Sequence, residues 1–181
     1  KSRHAAVERA IASIEKYRKS PTNGTVSLEY IDRRYTYGRP CRHNFYAMDA
    51  DSFEEELMGL RQELVKKGFL HVHSYNVGTT ITGANFEAGR FVPEESFVFV
   101  DHKDRDIVPG VKVLDSGMFA CIYLDSFDEE IAYALKLRDH CRVQGWILDG
   151  DYICEIITEF NVFDSEKRSM FMRLQVPVRF V

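Results

Sequence analysis

Glu155 is the residue whose type and setting most call for chemistry. It lies in Ile153-Cys154-Glu155-Ile156-Ile157, with apolar neighbours on both sides. A run apolar on both faces marks a central, buried strand. A carboxylate there is costly unless it is paired or neutralised. Two arrangements satisfy it. The acid can face a cavity and meet a cationic, lipophilic ligand, or it can pair with a base of its own chain, of which Arg173 in the last apolar stretch is the candidate. Tyr123, Trp146, Tyr152, Phe119 and Phe171 could wall such a cavity, with Tyr46 and Phe45 from the first half of the chain. Ile153 and Ile157 would add apolar wall. Each aromatic face offers a cation about 0.5 to 2 kcal/mol. Strand side chains alternate between faces, so only part of this set can share one cavity.

The other reactive residues point to less. His71 and His73 share a face if their segment is extended, but no third ligand stands at a fitting spacing, so no metal is expected. Asp101–Asp106 is acidic but lacks the alternating acids and glycine of a calcium loop, and reads as a solvated hairpin. The cysteines, Cys41, Cys121, Cys141 and Cys154, form no Cys-x-x-Cys. They read as free thiols in a reducing cytoplasm. Cys121 and Cys154 sit in apolar runs, where burial keeps a thiol protonated and inert. No glycine-rich nucleotide loop or Gly-x-Ser-x-Gly elbow is present, so no cofactor is expected.

The 181 residues carry a net charge of −4, unevenly spread. Residues 1–20 hold six bases and two acids, leaving −8 on the remainder. An acidic body is a poor surface for DNA and a good one for cations. No apolar run reaches the roughly 18 residues of a membrane span. The chain starts at Lys1 rather than Met, which suggests a piece of a longer product.

The elements that must hold Glu155 come in duplicate. Asp51-Ser52-Phe53 and Asp125-Ser126-Phe127 each open an acidic first turn. Ser52 with Glu55, and Ser126 with Glu129, fit a capping box. Phe53, Leu57, Leu60 and Leu64 form the apolar stripe of the first helix. Phe127, Ile131, Ala134, Leu135 and the stem of Arg138 form that of the second. Gly68-Phe69 and Gly145-Trp146 end them as left-handed caps. Extended stretches precede and follow each helix: 25–46 and 111–124 before, 79–86 with 96–103 and 151–160 with 170–180 after. The expected fold is α+β, a tandem pseudo-twofold pair of strand–helix–strand–strand units, about 25–105 and 110–181, sharing an antiparallel sheet. A seam between the halves is the natural place for a pocket. Val26, Leu28 and Tyr30 alternate as the buried side of the first strand. Ahead of it, Val7, Ala10, Ile11, Ile14 and Tyr17 make a helical apolar stripe, ended by Pro21, Asn23 and Gly24. That stripe packs either on its own domain or on a second chain.

This arrangement resembles the gyrase-inhibitor-like effector-binding domain over about residues 25–180. The motifs are Ser116-Gly117-Met118-Phe119-Ala120, Tyr152-Ile153-Cys154-Glu155-Ile156-Ile157, and the closing Val176-Pro177-Val178. Residues 1–20 look like the end of the long dimerising helix that joins this domain to the DNA-binding head of MerR-type activators. The resemblance implies a cytoplasmic, homodimeric transcription regulator that touches DNA only through a separate head. It implies a multidrug-type pocket in which Glu155 meets a cationic ligand. Two other roles belong to relatives of the same fold: a small-molecule hydrolase, with Glu155 and Tyr123 or Tyr152 as acid and phenol, and a protein-binding gyrase inhibitor.

Overall fold

The computed structural model describes residues 2–48, 50–69, 71–106, 108–160 and 169–181. Helix α1 (Ser2–Lys19) leads into strands β1 (Val26–Ile31) and β2 (Arg34–Pro40) and helix α2 (Ala50–Lys66). Strand β3 (Val77–Ile81), the short helix α3 (Gly83–Glu87) and strand β4 (Glu95–Val100) complete the first half. The second half contains β5 (Lys112–Leu114), β6 (Gly117–Ser126), α4 (Glu130–Gln144), β7 (Ile147–Leu148), β8 (Tyr152–Phe160) and β9 (Ser169–Arg179).

The strands run in the order β1-β6-β9-β8-β3-β4-β2-β5, with β7 added beside β9. Every pairing is antiparallel. The order is a palindrome about the β8–β3 seam, so the expected duplication is the architecture. The halves also exchange strands. β1 of the first half pairs with β6 of the second, and β5 of the second pairs with β2 of the first. Only Asp32 and Arg33 separate β1 from β2, which lie near opposite ends of the strand order. The sheet must therefore curl, bringing its two ends together there.

One face carries α2 and α4. Leu57, Leu60 and Leu64 are at most 1% exposed, and Phe53 is buried with them against Val77, Ile81, Val98, Ile122 and Leu174. Burying a side chain of this kind contributes about 1.5 to 3 kcal/mol. Both predicted glycine caps form. Gly68 and Gly145 have φ of 91° and 71°, and the amides of Phe69 and Trp146 reach back to the carbonyls of Leu64 and Cys141 at 3.1 and 2.9 Å.

The helix starts differ from the expected capping boxes. α2 begins at Ala50, which puts Ser52 inside the first turn, and Ser126 makes no side-chain cap bond. A 3-10 turn, Phe127–Glu129, precedes α4 and shifts its phase. The buried stripe is Glu130, Ala134, Leu137 and Cys141, while Ile131 is exposed. The first strand is also read differently by its surroundings. Leu28 and Tyr30 are exposed and Ile31 is buried, because β1 is an edge strand whose other side faces α1. His102–Asp106 folds as a 3-10 turn rather than a hairpin, and another 3-10 turn, Val72–Ser74, sets the strand-type geometry of His71 and His73 aside.

Candidate functional site

The second face of the sheet carries α1, and α1 lies on it the unexpected way round. Val7, Ile11 and Ile14 are more than half exposed. The side turned to the sheet is small or polar: Ala6, Arg9, Ser13, Lys16 and Tyr17. Arg9 donates to Asp101 Oδ2 at 3.0 Å and to Ser74 Oγ at 2.8 Å, with its guanidinium over the Tyr75 ring. Tyr17 sets its edge against Phe171, with centroids 5.0 Å apart. Lys16 Nζ lies 3.2 Å from Glu29 Oε1 and 5.4 Å from the centre of the Tyr123 ring.

Under the helix, strand alternation lines up Glu155, Arg173 and Tyr123 across β8, β9 and β6. Glu155 is 5% exposed and is met by its own chain. Its Oε2 accepts from Arg173 Nη2 at 2.7 Å, Arg173 Nε at 3.1 Å, Gln175 Nε2 at 2.9 Å and Arg34 Nη1 at 3.4 Å. Asn76 donates to Oε1 at 3.3 Å. Burial alone would raise this carboxyl's pKa, but the charges of Arg173 and Arg34 and these bonds outweigh it and hold it below the usual range. The Arg34 guanidinium is itself sandwiched 5.1 Å from Phe99 and 5.3 Å from Phe119. Gly78 stands directly opposite Glu155, and the Phe97 ring occupies the space that a Cβ there would need. The second arrangement open to Glu155, the pair with Arg173, is the one adopted.

Besides Glu155 and Asp101 this face carries Glu29, which the sequence did not single out. The Tyr123 hydroxyl donates to its Oε2 at 2.6 Å, and Tyr123 stacks on Phe171 with centroids 5.6 Å apart. Burial raises the Glu29 carboxyl, but Tyr123, Cys121, Lys16 and Arg173 together bring it below the ordinary value. Two cavities, of about 590 and about 320 Å³, border α1 and share Ser13, Asn76 and Ile157 as a wall. The smaller reaches Glu155, Arg173 and Lys16.

The helix-covered face holds a different acid. Glu130 is 3% exposed, and its Oε1 accepts from the hydroxyls of Tyr46 at 2.7 Å and Tyr152 at 2.9 Å. Burial raises its pKa more than the two phenols and Cys154 lower it. The same burial, with Glu130 beside them, pushes the Tyr46, Tyr152 and Cys154 protons to much higher pKa. A signal for Glu130 was present in the sequence: it stands four, seven and eleven residues before Ala134, Leu137 and Cys141.

The structure divides the predicted site residues. Glu155, Ile157, Tyr123, Phe119 and Phe171 share the α1 face, and register places Ile153 there, opposite Gln175. Tyr152 and Tyr46 meet on the opposite face around Glu130. Trp146 joins neither group and packs against His140 and Phe180. Cys121 and Cys154 are buried and their thiols pushed up by desolvation. Among the described residues no group of three or more metal-ligating side chains is gathered, and no described helix is long and apolar enough to cross a membrane.

No known protein family's sequence pattern and no curated protein matches the chain. Solved structures do. The EcmrR C-terminal domain superposes with a TM-score of 0.63 at 14% identity, covering 87% of this chain and 98% of that one. EcmrR in its DNA complex gives 0.62 at 12%, covering 99% of this chain, α1 included, and 67% of that one. A hydrolase encoded by lin2189 from Listeria innocua gives 0.50 at 10%, covering 92% and 98%. At these identities the likeness is one of fold, and the fold is the gyrase-inhibitor-like one that the sequence motifs resemble.

Proposed function

We propose that this chain is the ligand-sensing effector-binding domain of a MerR-type transcription regulator. Its lipophilic small-molecule ligand binds on the sheet face beneath α1. The observation that carries this reading is the way α1 is seated. The helix covers a face of aromatic and charged side chains with its own small and polar side, and cavities border it. Lifting the helix would join the two cavities, and pockets of several hundred Å³ suit small ligands. The outward Val7 and Ile11, with Ile14 at the rim of the larger cavity, are suited to pairing with the same helix of a second copy, as in a short coiled coil. One helix would then face the ligand site on one side and its partner on the other. A ligand that prefers the lifted helix shifts the population and alters the spacing of two DNA-reading heads carried elsewhere in the protein.

Glu155 forms the floor of this site. Two guanidinium groups already meet its charge, so it contributes a rigid polar base and an incoming cation finds no free carboxylate there. The test is to titrate the chain with a panel of cationic and neutral lipophilic dyes while following amide exchange in α1. Saturable micromolar binding with faster exchange in α1 is expected. Absence of binding, or binding that leaves α1 exchange unchanged, overturns the reading.

The hydrolase reading has one observation in its favour, the carboxyl–phenol group of Glu130, Tyr46 and Tyr152. A general acid or base must reach its substrate. Glu130 and Tyr152 are sealed beneath α4, which favours a structural role for the group and a non-enzymatic one for the chain.

A further inference from the structure

We infer that the charge-reading part of this face is a cage of Glu29, Tyr123 and Phe171, that Lys16 of α1 occupies it as a built-in competitor, and that the ligand it takes is an amphiphilic amine joining an ammonium group to an aromatic body. This rests on the reading that the α1 face binds a ligand, and deepens it.

Three acids stand on this face, and Asp101 is met by Arg9 of α1 but also by Lys103, which stays when α1 moves. Glu155 receives five hydrogen bonds from four residues, none of them on α1. None of these partners moves when α1 moves. Glu29 differs. Its donors are the Tyr123 hydroxyl, which is on the sheet, and the Lys16 ammonium, which is on α1. Taking the helix away removes the Lys16 ammonium and leaves a carboxylate beside an electron-rich ring.

The cage has the chemistry of an ammonium site. A carboxylate oxygen 3.2 Å from the nitrogen supplies charge and direction. The Tyr123 face, 5.4 Å away, adds cation–π attraction. The 2.6 Å bond from the Tyr123 hydroxyl holds both parts in place, and the ring is stacked on Phe171. The occupant also shows what else fits. Lys16 supplies the ammonium, and its chain neighbour Tyr17 supplies an aromatic edge on Phe171. A molecule with an ammonium a short arm away from an aryl group reproduces both contacts and can displace both. Arg34 and Arg173 make the floor around Glu155 positive, and Lys103 remains beside Asp101, so Glu29 is the acid left for the ligand's positive charge.

Isothermal titration of the chain with 4-phenylbutylammonium, 4-phenylbutanol and 4-phenylbutyrate tests this, using wild type, Lys16→Met and Glu29→Gln. Lys16→Met keeps an apolar stem on an exposed helix, so folding is retained, and circular dichroism checks each variant. The ammonium is expected to bind wild type better than the alcohol. Lys16→Met should tighten it about three- to tenfold, the worth of one partly exposed ion pair and one cation–π contact. Glu29→Gln should remove its advantage over the alcohol. The cage is overturned if Lys16→Met leaves ammonium binding unchanged, or if Glu29→Gln weakens the alcohol as much as the ammonium. If the probes bind but show no preference in any variant, the cage fails while ligand sensing stands. If no probe binds wild type or Lys16→Met, both readings fail together.

Discussion

Glu130 on one face of the sheet and Glu155 with Glu29 on the other are buried in opposite ways. At the start of α4, Glu130 is held by two phenols. Under α1, Glu155 and Glu29 are surrounded by cations. The first acid is driven toward its neutral form and the other two toward their charged forms. The difference follows from what surrounds each acid. Around Glu130 burial outweighs the two phenols and disfavours the charged form, whereas Glu56, also buried on this side, is met by Arg39. A helix that offers arginine, serine and lysine can meet charge with charge. It contributes little apolar adhesion in doing so. The helix-covered face is built to stay closed, and the α1 face can be opened at modest cost.

The largest effect should come from the guanidinium that neutralises Glu155. Arg173→Ala leaves a buried carboxylate short of its main partner, and is expected to cost about 3 kcal/mol in chemical denaturation. Arg34→Ala should cost less, because its bond to Glu155 is the longer one. A reversed order would mean that the sandwich between Phe99 and Phe119, rather than the ion pair, holds this floor together.

Glu130→Gln sharpens the comparison from the other face. The folded-state pKa of Glu130 is raised, so its contribution is fully present below the ordinary carboxyl range and is lost as pH rises through the folded value. Thermal melts taken upward from the ordinary carboxyl range should show the variant gaining on wild type as pH rises. A variant that loses stability equally at every pH would show that the two phenols need the charged form.

Glu29 and Glu155 predict the opposite trend. Their folded values are lowered, so the stability they lend is present above the ordinary carboxyl range and lost as pH falls through the folded values. Amide exchange in α1 should rise below about pH 4 while exchange in α2 does not. Equal loosening of both helices would remove the distinction between the faces. The smallest effect concerns Lys16 and Glu29 themselves. A double-mutant cycle of Lys16→Met and Glu29→Gln should give a coupling of about 0.5 kcal/mol, since both groups are partly exposed.

Much of the fold was legible because short-range rules carry it. Gly68 and Gly145 end their helices through local backbone geometry, and the leucines of α2 keep a strict helical period. The duplicated order of elements implied the shared sheet. The site was legible only in part. Glu155 could be placed on a buried strand, and Arg173 named as its alternative partner, because both lie in apolar runs. Trp146, Tyr152 and Tyr46 could not be assigned to a face, since β alternation fixes relative orientation only once one residue is anchored. Glu29 was hidden for a related reason. Val26, Leu28 and Tyr30 looked like the buried side, so Glu29 was read as facing water, and only the position of α1 makes its side the covered one. The stripe of α1 was visible, but periodicity does not say what a stripe will face. In α4 the 3-10 turn moved the phase, which a helical count from Ser126 cannot anticipate.

Residues 20–25 are all that join α1 to β1, and β1 is hydrogen-bonded along its length to β6. Fully extended, such a leash reaches at most about 20 Å. A lysine tethered this closely to its own cage acts as though it were present at millimolar concentration. Any free amine has to outcompete that standing dose before the domain responds. The length of six residues, more than any contact in the cage, would then set the concentration at which the sensor begins to answer, and lengthening the leash should make it answer sooner.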